Sequence, residues 1–529
     1  MKKYTKSIGL ALIVISLILS IFLSIPTLSG KNFSLSSTYG EKKVTLRGTY
    51  YNANSDYTVV VCPGYSCDRQ KWRPVADLLV HDGYNTVLFD YSGQGESDGV
   101  IGFDNAKTDN IPKEIDDVIE YVHEEYKTDY EKIILLGHSM GGRSILRLLY
   151  DYNNPGAVTS VNRKNIKSVI LLSPEVNYSF NAQASLFAGT SDIDEEPWKS
   201  YGRNDVGDTK IFLFGSNDDD IVSAEDIYEI ANRTGARYAV EDGVLHSYMM
   251  YSPKFMRHIQ NSLTDITGVK GTYNVSLTGI NYLVWVLALI GIYLFVSGFE
   301  SKSIATSLVL TDSRKFVLSK LLMWIPGMIV AVLVCSLCVV LPFGSPVMNL
   351  PYMNFICGYG LIMALAYKFK WIKGVEGKTD KVSFNIDLNS IGIFIGIYVY
   401  VIVILKCGMY NLLPLNIRLF WLLFCSLFMS VGYYISSIEK DIIKGKNLDL
   451  IYNIIQYIPL FLLVGFYLVL KSYSGMIGQM VNMIFMYMVC IPVGRFVEGK
   501  SENRLLGALT SSIMFQTFMI TSAALIAIF

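Results

Sequence analysis

The sequence predicts an α/β domain with a mainly parallel sheet covered by helices on both faces, preceded by one membrane anchor helix and followed by an all-α membrane domain of eight helices. Between Lys31 and Val269, apolar strand-like runs alternate with amphipathic stretches, which is typical of such a sheet. Before this region, Ile8 to Ile25 carries no charge, and from Gly279 onward eight apolar segments follow. The predicted domains are residues 1–30, 31–269 and 279–529.

Composition limits the classes of function. At 51% hydrophobic residues, a chain of 529 residues is too apolar for a soluble protein, which implies a membrane part. The 45 Lys and Arg residues balance 45 Asp and Glu residues, so no basic field indicates a nucleic-acid partner. Of the 8 cysteines, only Cys62 and Cys67 lie in the α/β region, and we expect two unpaired thiols rather than a disulfide across the short loop.

The N-terminal segment has the pattern of a membrane anchor. Lys2, Lys3 and Lys6 precede the uncharged stretch from Ile8 to Ile25. This stretch is longer than the apolar core of a signal peptide, which is about 7 to 15 residues, so we expect an uncleaved anchor. Basic flanks stay in the cytoplasm, and the domain that follows is therefore predicted to lie outside.

Runs of apolar and β-branched residues predict seven strands in the α/β region. These strands are Val44–Tyr50, Tyr57–Cys62, Thr86–Phe89, Lys132–Leu136, Lys167–Leu172, Lys210–Phe214 and Tyr238–Glu241. Apolar residues at helical spacing predict helices at Lys71–His81 and Pro112–Tyr126. Because ligands bind at the carboxyl ends of the strands in such a sheet, the strand ends are where functional residues are expected.

The strand Lys132–Leu136 leads into Gly137-His138-Ser139-Met140-Gly141, and a helix-compatible stretch follows from Arg143. A strand, a G-x-S-x-G turn and a helix in this order lift a serine hydroxyl above the end of a sheet. Ser139 is therefore the candidate nucleophile. The N–H of Met140, which follows the nucleophile, is a candidate donor to the oxyanion that forms during acyl transfer.

A serine hydroxyl is a weak nucleophile and needs a nearby base, most often a histidine. Among the 5 histidines, His246 follows a strand and Gly243, whereas His258 falls in a helical pattern. The expected chain order of serine, acid and histidine favours His246. We interpret His258 as a residue on a solvent-exposed face of a helix.

The acid that orients the base is expected after the strand that ends at Phe214. Asp218, Asp219 and Asp220 follow there. Asp218 is the first choice by its distance from Gly215, and Asp219 stands at the other common offset. Carboxylates in such a loop also cap helices or face solvent. Three adjacent aspartates do not all turn toward one calcium ion, so no metal and no cofactor are expected.

A second oxyanion donor is expected in the loop after the strand Tyr57–Cys62. This loop reads Pro63-Gly64-Tyr65-Ser66. Gly64 permits the bend, and the N–H of Tyr65 is the candidate donor.

These residues together resemble the α/β-hydrolase superfamily in its serine aminopeptidase and monoacylglycerol lipase-like branch. Pro63-Gly64-Tyr65 stands where that family has His-Gly-x, and the stretch Asp90–Gly99 is similar to its D-x-R-G-x-G-x-S motif. Pro63 and Ser92 depart from the pattern, replacing His and Arg. The resemblance covers Lys31 to Val269 and implies an α/β-hydrolase sheet, with room for only a short lid at about residues 174–208.

The eight apolar segments of the membrane part alternate with loops of unequal charge. The segments are Gly279–Val296, Leu321–Pro342, Leu350–Tyr367, Ile391–Leu405, Leu419–Ile435, Ile451–Leu470, Met476–Val493 and Leu505–Phe529. Every second loop is rich in Lys and Arg, whereas the other loops hold only Lys406, Arg418 and Lys471. Because Lys and Arg collect on the cytoplasmic side, the charge bias predicts that the α/β domain and Phe529 lie outside.

The sequence therefore predicts a multi-pass protein of the cell membrane, with an extracytoplasmic serine hydrolase that cleaves an ester or amide bond through Ser139, His246 and an aspartate. Anchors at both ends of the domain favour an amphiphilic, lipid-like acyl substrate that arrives from the membrane. Two alternatives stay open: a transporter or receptor whose α/β domain only binds or scaffolds, and an acyltransferase that uses the same triad.

Overall fold

The computed structural model describes residues 2–39, 42–102, 110–154, 161–176, 202–299, 304–339, 350–378, 417–443, 476–521 and 525–527, with isolated residues between 388 and 455.

A mixed sheet forms the centre of the α/β domain. The strands are β1 (Lys31–Tyr39), β2 (Lys42–Tyr51), β3 (Thr58–Cys62), β4 (Asn85–Asp90), β5 (Ile101–Gly102), β6 (Ile133–His138), β7 (Ser168–Leu172), β8 (Lys210–Ser216) and β9 (Arg237–Glu241). All except β5 form one sheet in the order β1-β2-β4-β3-β6-β7-β8-β9. The pairs β1–β2 and β2–β4 are antiparallel, and all other neighbours are parallel.

The seven predicted strands are confirmed, and one strand of the eight-stranded sheet, β1, was missed. β1 pairs with β2 along its whole length, from Lys31 opposite Tyr50 to Tyr39 opposite Lys42. Four of the nine residues of β1 are Ser or Thr. Before its last residue, Phe33 and Leu35 are its only large apolar side chains, so the apolar signal of this strand is weak. Because β1 lies at the edge of the sheet, it does not need apolar side chains on both of its faces.

Helices cover both faces of this sheet. The helices up to the end of the domain are α1 (Lys2–Leu23), α2 (Arg73–His81), α3 (Ile111–Tyr126), α4 (Met140–Asn153), α5 (Arg203–Val206), α6 (Ala224–Thr234) and α7 (Pro253–Thr267). Successive residues of β3 alternate between two cores: Val60 packs with α3, α4 and α6, and Val61 packs with α2 and α7. The inner strands β3, β4, β6, β7 and β8 are buried, as the sequence predicted, whereas the edge strand β9 is partly exposed.

The C-terminal part of the chain is helical. Its helices are α8 (Ser276–Ser297), α9 (Ser313–Leu322), α10 (Trp324–Val339), α11 (Leu350–Lys368), α12 (Ile417–Ile443), α13 (Met476–Ser501) and α14 (Arg504–Thr521). Three short strands accompany them: β10 (Val309–Leu310), β11 (Val375–Glu376) and β12 (Ile526–Ala527). Within the described residues, Tyr4–Leu23, α8 and α12 are long and apolar enough to cross a membrane. The predicted spans Ile391–Leu405 and Ile451–Leu470 lie mostly outside the described residues, so the count of nine spans stays a prediction.

The anchor helix α1 packs directly on α8, the first helix after the α/β domain. A Cβ atom added to Gly9 would lie 2.4 Å from the backbone nitrogen of Phe295, and one added to Gly291 would lie 3.0 Å from a side-chain carbon of Ile13. Small residues permit this close approach of two membrane helices. Since α1 enters the domain and α8 leaves it, the two helices run in opposite directions and hold the domain at one end of the pair.

A buried hydrogen bond joins the end of the anchor to the α/β domain. Thr27 lies in a short 3-10 turn after α1, and its hydroxyl donates to Asp77 Oδ1 at 2.7 Å. Arg73 Nε donates to the same hydroxyl oxygen at 3.1 Å. Burial raises the pKa of the Asp77 carboxyl to about 7, although Thr27 and Arg73 act in the opposite direction.

Replacing Asp77 by Asn is expected to change how stability depends on pH. Because the folded-state pKa is raised from 3.8 to about 7, the stability that comes from protonated Asp77 is complete below the lower value and is lost as the pH rises through the higher one. Asn still accepts the Thr27 bond but does not ionise. We expect the melting temperature of Asp77→Asn in detergent, measured relative to wild type, to rise between about pH 4 and about pH 8. A constant difference would contradict this assignment.

Candidate active site

The turn between β6 and α4 holds Ser139 in an unusual backbone conformation. Its φ and ψ angles are 52° and −121°, a combination that residues with a Cβ atom rarely adopt. β6 ends at His138, and α4 begins at Met140. The strand and helix thus meet at Ser139, which lies at the carboxyl end of the central strand of the sheet.

Both glycines of the turn are required by close backbone contacts. A Cβ atom on Gly137 would lie 2.6 Å from Ile145 Cδ1, and one on Gly141 would lie 2.2 Å from the carbonyl oxygen of Cys62. The first contact lets α4 pack back on β6, and the second lets the turn approach the end of β3. The G-x-S-x-G spacing therefore follows from steric constraint on either side of Ser139.

His246 lies at the start of a short 3-10 helix, His246–Tyr251, that follows β9. The ring of His138 lies 4.6 Å from the ring of His246, and His138 Nε2 is 3.2 Å from the backbone oxygen of His246. Because His138 directly precedes Ser139, these contacts hold the His246 backbone and ring beside the serine turn.

The partner of His246 is Asp219. His246 Nδ1 is 2.9 Å from Asp219 Oδ2 and 3.0 Å from Oδ1, and the two side chains are 3% and 0% exposed. The carboxylate also accepts hydrogen bonds from the N–H groups of Ile221 and Val222, both at 2.8 Å. A buried carboxylate with these partners fixes the imidazole so that Nδ1 carries its proton and Nε2 faces away from the aspartate.

Asp218, the acid that the sequence analysis preferred, does not contact the His246 ring. Its Oδ2 accepts the Gly243 N–H at 2.6 Å instead. The physical reason is the length of β8, which continues to Ser216 rather than ending at Phe214. A turn follows in which Asp219 N–H donates to Ser216 O at 3.3 Å, and this turn carries Asp219 to the histidine.

Asp220 and His138 are two further residues of this arrangement that the sequence analysis missed. Asp220 Oδ1 accepts the backbone N–H of His246 at 3.1 Å, so it fixes the start of the 3-10 helix. Asp218, Asp219 and Asp220 thus bind three different points of the segment from Gly243 to His246. The signal that could have found this is the run of three aspartates after β8, each with a donor of its own.

Burial and neighbouring charges set the protonation states of the site. Burial by itself raises the pKa of Asp219, but the charge and hydrogen bond of His246 and the two backbone N–H groups hold the pKa below its usual value. Burial, together with the charge of His246, lowers the pKa of His138 to about 3. His138 is therefore neutral at physiological pH, and its Nε2–H donates to the backbone oxygen of His246.

The two predicted oxyanion donors belong to segments next to Ser139. A Cβ atom on Gly64 would be 3.1 Å from Ser139 Cβ, which shows that the loop carrying Tyr65 passes directly beside the serine. Met140 is the first residue of α4, and the first N–H groups of a helix have no partner within that helix. The donor roles of Tyr65 and Met140 stay a prediction.

Several other sequence expectations concern the surroundings of the site. Cys62 and Cys67 are free thiols, as predicted. His258 Nε2 lies 2.7 Å from Glu241 Oε1, so this histidine has a partner in β9 rather than a solvated position. The central part of the predicted lid, residues 177–201, lies outside the described residues. Within the described part of the chain, no group of three or more His, Cys, Asp and Glu side chains is arranged to hold a metal ion.

Residues 53–191 match the model of the serine aminopeptidase family S33. The matched segment runs from the end of β2 past the serine turn, and the sheet order and the strand–turn–helix at Ser139 have the corresponding form. The domain has the α/β-hydrolase fold. This agrees with the resemblance found in the sequence, and from here on we refer to it as the hydrolase domain.

Curated relatives match part of this chain. An uncharacterised protein of Salmonella typhimurium, YfhR, is 21% identical over 193 residues, which are 36% of this chain and 64% of that protein. Lysophospholipase L2 of Escherichia coli K12 is 30% identical over 112 residues, which are 20% of this chain and 31% of that protein. The chain thus covers less than two thirds of the length of these relatives.

Two solved structures also resemble part of this chain. An esterase of Pyrococcus furiosus is 19% identical with a TM-score of 0.36, and covers 46% of this chain and 93% of its own length. A hydrolase described as putative from Agrobacterium vitis S4 is 18% identical with a TM-score of 0.36, and covers 45% of this chain and 98% of its own length.

The geometry predicts which aspartate matters for the reactivity of Ser139. We expect Asp219→Asn to slow the labelling of the full-length protein by a fluorophosphonate probe by roughly 100-fold or more, because Asn neither holds the same tautomer nor stabilises the imidazolium. Asp218→Asn is the matched control, since it changes the same atoms one residue away. We expect it to retain most of the labelling rate. A larger loss in Asp218→Asn than in Asp219→Asn would contradict the assignment.

Proposed function

We propose that this protein is a membrane-bound serine hydrolase that cleaves an acyl ester at the outer surface of the cell membrane. Ser139 is the nucleophile, His246 is the general base, and Asp219 orients and stabilises His246. The N–H groups of Tyr65 and Met140 bind the oxyanion. The observation that carries the proposal is the buried contact of Asp219 with His246 Nδ1 at 2.9 Å, held beside the strained turn of Ser139.

The steps of the reaction follow from these positions. His246 Nε2 accepts the proton of the Ser139 hydroxyl while the oxygen attacks the carbonyl carbon of the ester. The two N–H groups stabilise the negative charge on the carbonyl oxygen, and each such donor is typically worth about 3 kcal/mol in the transition state. The protonated imidazole then donates to the leaving alcohol, and water cleaves the acyl-enzyme by the reverse sequence. An amide substrate uses the same steps with an amine as leaving group.

The surroundings of His246 support an amphiphilic substrate. Tyr248, on the same 3-10 helix, lies with its ring 5.4 Å from that of Tyr282, and their hydroxyl oxygens are 3.5 Å apart. The ring of Tyr251 lies 5.7 Å from Tyr282 as well. Tyr282 belongs to α8, which is long and apolar enough to cross the membrane. The catalytic histidine is thus a few residues from the membrane helices, where tyrosines suit an interface between water and acyl chains.

The orientation in the membrane rests on the charges at the far end of the helices. Lys6 Nζ lies 3.8 Å from the centre of the Phe299 ring, and Lys500 Nζ lies 5.4 Å from it. Lys6 and Phe299 lie at the ends of α1 and α8 that point away from the hydrolase domain, and Lys500 lies in the last turn of α13. Because lysines gather on the cytoplasmic side, the hydrolase domain is proposed to lie outside the cell.

The central test is hydrolysis by the full-length protein in lipid nanodiscs. We expect Ser139→Ala and His246→Ala each to lower the turnover of a monoacyl phospholipid and of a short-chain p-nitrophenyl ester by roughly 1,000-fold or more, because triad members act as a unit. The monoacyl phospholipid is chosen as an amphiphile with one acyl ester. We expect wild type to favour it over the short ester by a higher kcat/KM.

Thermal unfolding of the variants in the same nanodiscs provides the control for folding. Folded Ser139→Ala with the turnover of wild type would refute the serine mechanism, and leave the binding or scaffolding roles. An equal kcat/KM for the two esters would refute the amphiphilic substrate alone. If the acyl group appears on an added alcohol faster than on water, the protein is an acyltransferase with the same triad.

The proposed orientation is tested by cysteine accessibility in intact cells. Asn54 precedes β3 in the hydrolase domain, and Lys378 follows β11 at the other end of the helices; both residues are exposed. In a background without native cysteines, we expect Asn54→Cys to react with a membrane-impermeant maleimide and Lys378→Cys to react only after the cells are permeabilised. The opposite pattern would place the hydrolase domain in the cytoplasm.

A further inference from the structure

The loop from Asp90 to Gly102 follows β4, and its carboxylates depend on cations from other segments to balance their charge. It contains three carboxylates, those of Asp90, Glu96 and Asp98, and no Lys or Arg. Within the hydrolase domain, the guanidinium of Arg69 donates to both Asp90 and Glu96. Asp90 is fully buried, so this ion pair satisfies a charge that would otherwise be costly to bury.

A second cation reaches the same loop from the membrane domain. Arg418 stands at the start of α12 and is 1% exposed, and its Nη2 donates to the carbonyl oxygen of Gly93. Asp90, Asp68 and Asp98 are the carboxylates that attract its charge. A buried guanidinium is retained only where carbonyls and carboxylates receive it, so this contact fixes the position of the loop relative to α12.

The backbone of the last described segment binds the loop at the same point. Leu525 N–H donates to Gly93 O at 2.8 Å, and Leu525 O accepts the Ile101 N–H at 2.8 Å. β12 continues this pairing as a parallel strand beside β5. A Cβ atom on Gly93 would lie 2.8 Å from Leu525 O, so only glycine leaves room for the segment. The carbonyl of Gly93 thus accepts two donors from the membrane domain.

The next residue transmits this contact to the oxyanion loop. Gln94 is buried, and its Oε1 accepts the backbone N–H of Cys67 at 3.1 Å. The same N–H closes a turn to Gly64 O at 3.3 Å. Between them, Ser66 has a φ of 53°, a left-handed conformation that persists only where its surroundings hold it. Tyr65, the proposed oxyanion donor, lies inside this turn.

We propose that Arg418 is a positioning residue of the hydrolase: with Leu525, it holds Gly93 and Gln94, and Gln94 holds the turn that aims the Tyr65 N–H at the oxyanion. The membrane domain therefore completes the active site of the domain that it anchors. This inference rests on the proposed function, because it concerns the oxyanion site of that reaction. The inference goes beyond the proposed function because it gives residues of the membrane part a role in catalysis.

The test compares variants of the full-length protein in nanodiscs with the short-chain ester. We expect Arg418→Met to lower kcat by about ten-fold with KM changed less than about two-fold, since a displaced oxyanion donor acts mainly on the transition state and complete loss of one costs roughly 100- to 1,000-fold. Arg418→Lys keeps one donor for Gly93 and is expected to recover most of the rate. Gln94→Leu removes the next link and should give a similar loss of kcat.

The coupling between the effects of the Arg418 and Gln94 substitutions on kcat distinguishes a positioning role from a loss of stability. If both residues act through the Tyr65 turn, the double variant Arg418→Met with Gln94→Leu loses no more than either single variant, whereas independent effects multiply. Lys320→Met is the matched control, because Lys320 is a buried cation of the membrane domain that pairs with Glu439. We expect it to lower the melting temperature and leave kcat unchanged.

The outcomes distinguish this inference from the proposed function. Wild-type turnover that disappears in Ser139→Ala supports the proposed function whatever Arg418 does. If the protein is active and Arg418→Met keeps the wild-type kcat, or if its loss equals that of Lys320→Met, the inference is overturned. A multiplicative loss in the double variant overturns it as well. If Arg418→Met does not fold, Arg418→Lys and Leu525→Pro, which removes the second donor to Gly93, carry the same test.

Discussion

The approach of the serine turn to the end of β3 is the contact on which the rest of the site depends. With a hydrogen atom in place of a side chain, Gly141 lies against the carbonyl oxygen of Cys62, where a Cβ atom would be only 2.2 Å away. This contact brings the start of α4 next to the loop after β3. It thereby places two backbone segments, at Met140 and at Tyr65, next to the serine turn. A larger residue would push these segments apart.

The sequence was sufficient for the sheet and for most of the site because these features depend on local patterns. Buried parallel strands carry apolar residues on both faces, and the serine turn has its own glycine spacing, so β6 and Ser139 were readily recognised. The choice between Asp218 and Asp219 was less certain, since it depends on where β8 ends. The pairing with β7 ends at Phe214, and only the pairing with β9 extends β8 to Ser216.

Contacts between distant parts of the chain could not be predicted from the sequence pattern. Arg418 and Gly93 are 325 positions apart, and in the sequence Arg418 was only one of three charges in the outer loops. β12 has two residues and pairs with a strand of two residues, which is too short to give a periodic signal. His138 occupies a variable position of the G-x-S-x-G turn, and only the folded chain shows that its ring meets that of His246.

The glycine contact between α1 and α8 also orders events during synthesis. In the proposed orientation, Gly9 enters the bilayer early, whereas the backbone that it packs against, around Gly291 and Phe295, is translated after the whole hydrolase domain. The domain then crosses the membrane while α1 alone tethers it, and α8 fixes the base of the domain when it inserts. Once α1 and α8 pair, the hydrolase domain is held at two points rather than tethered by one helix.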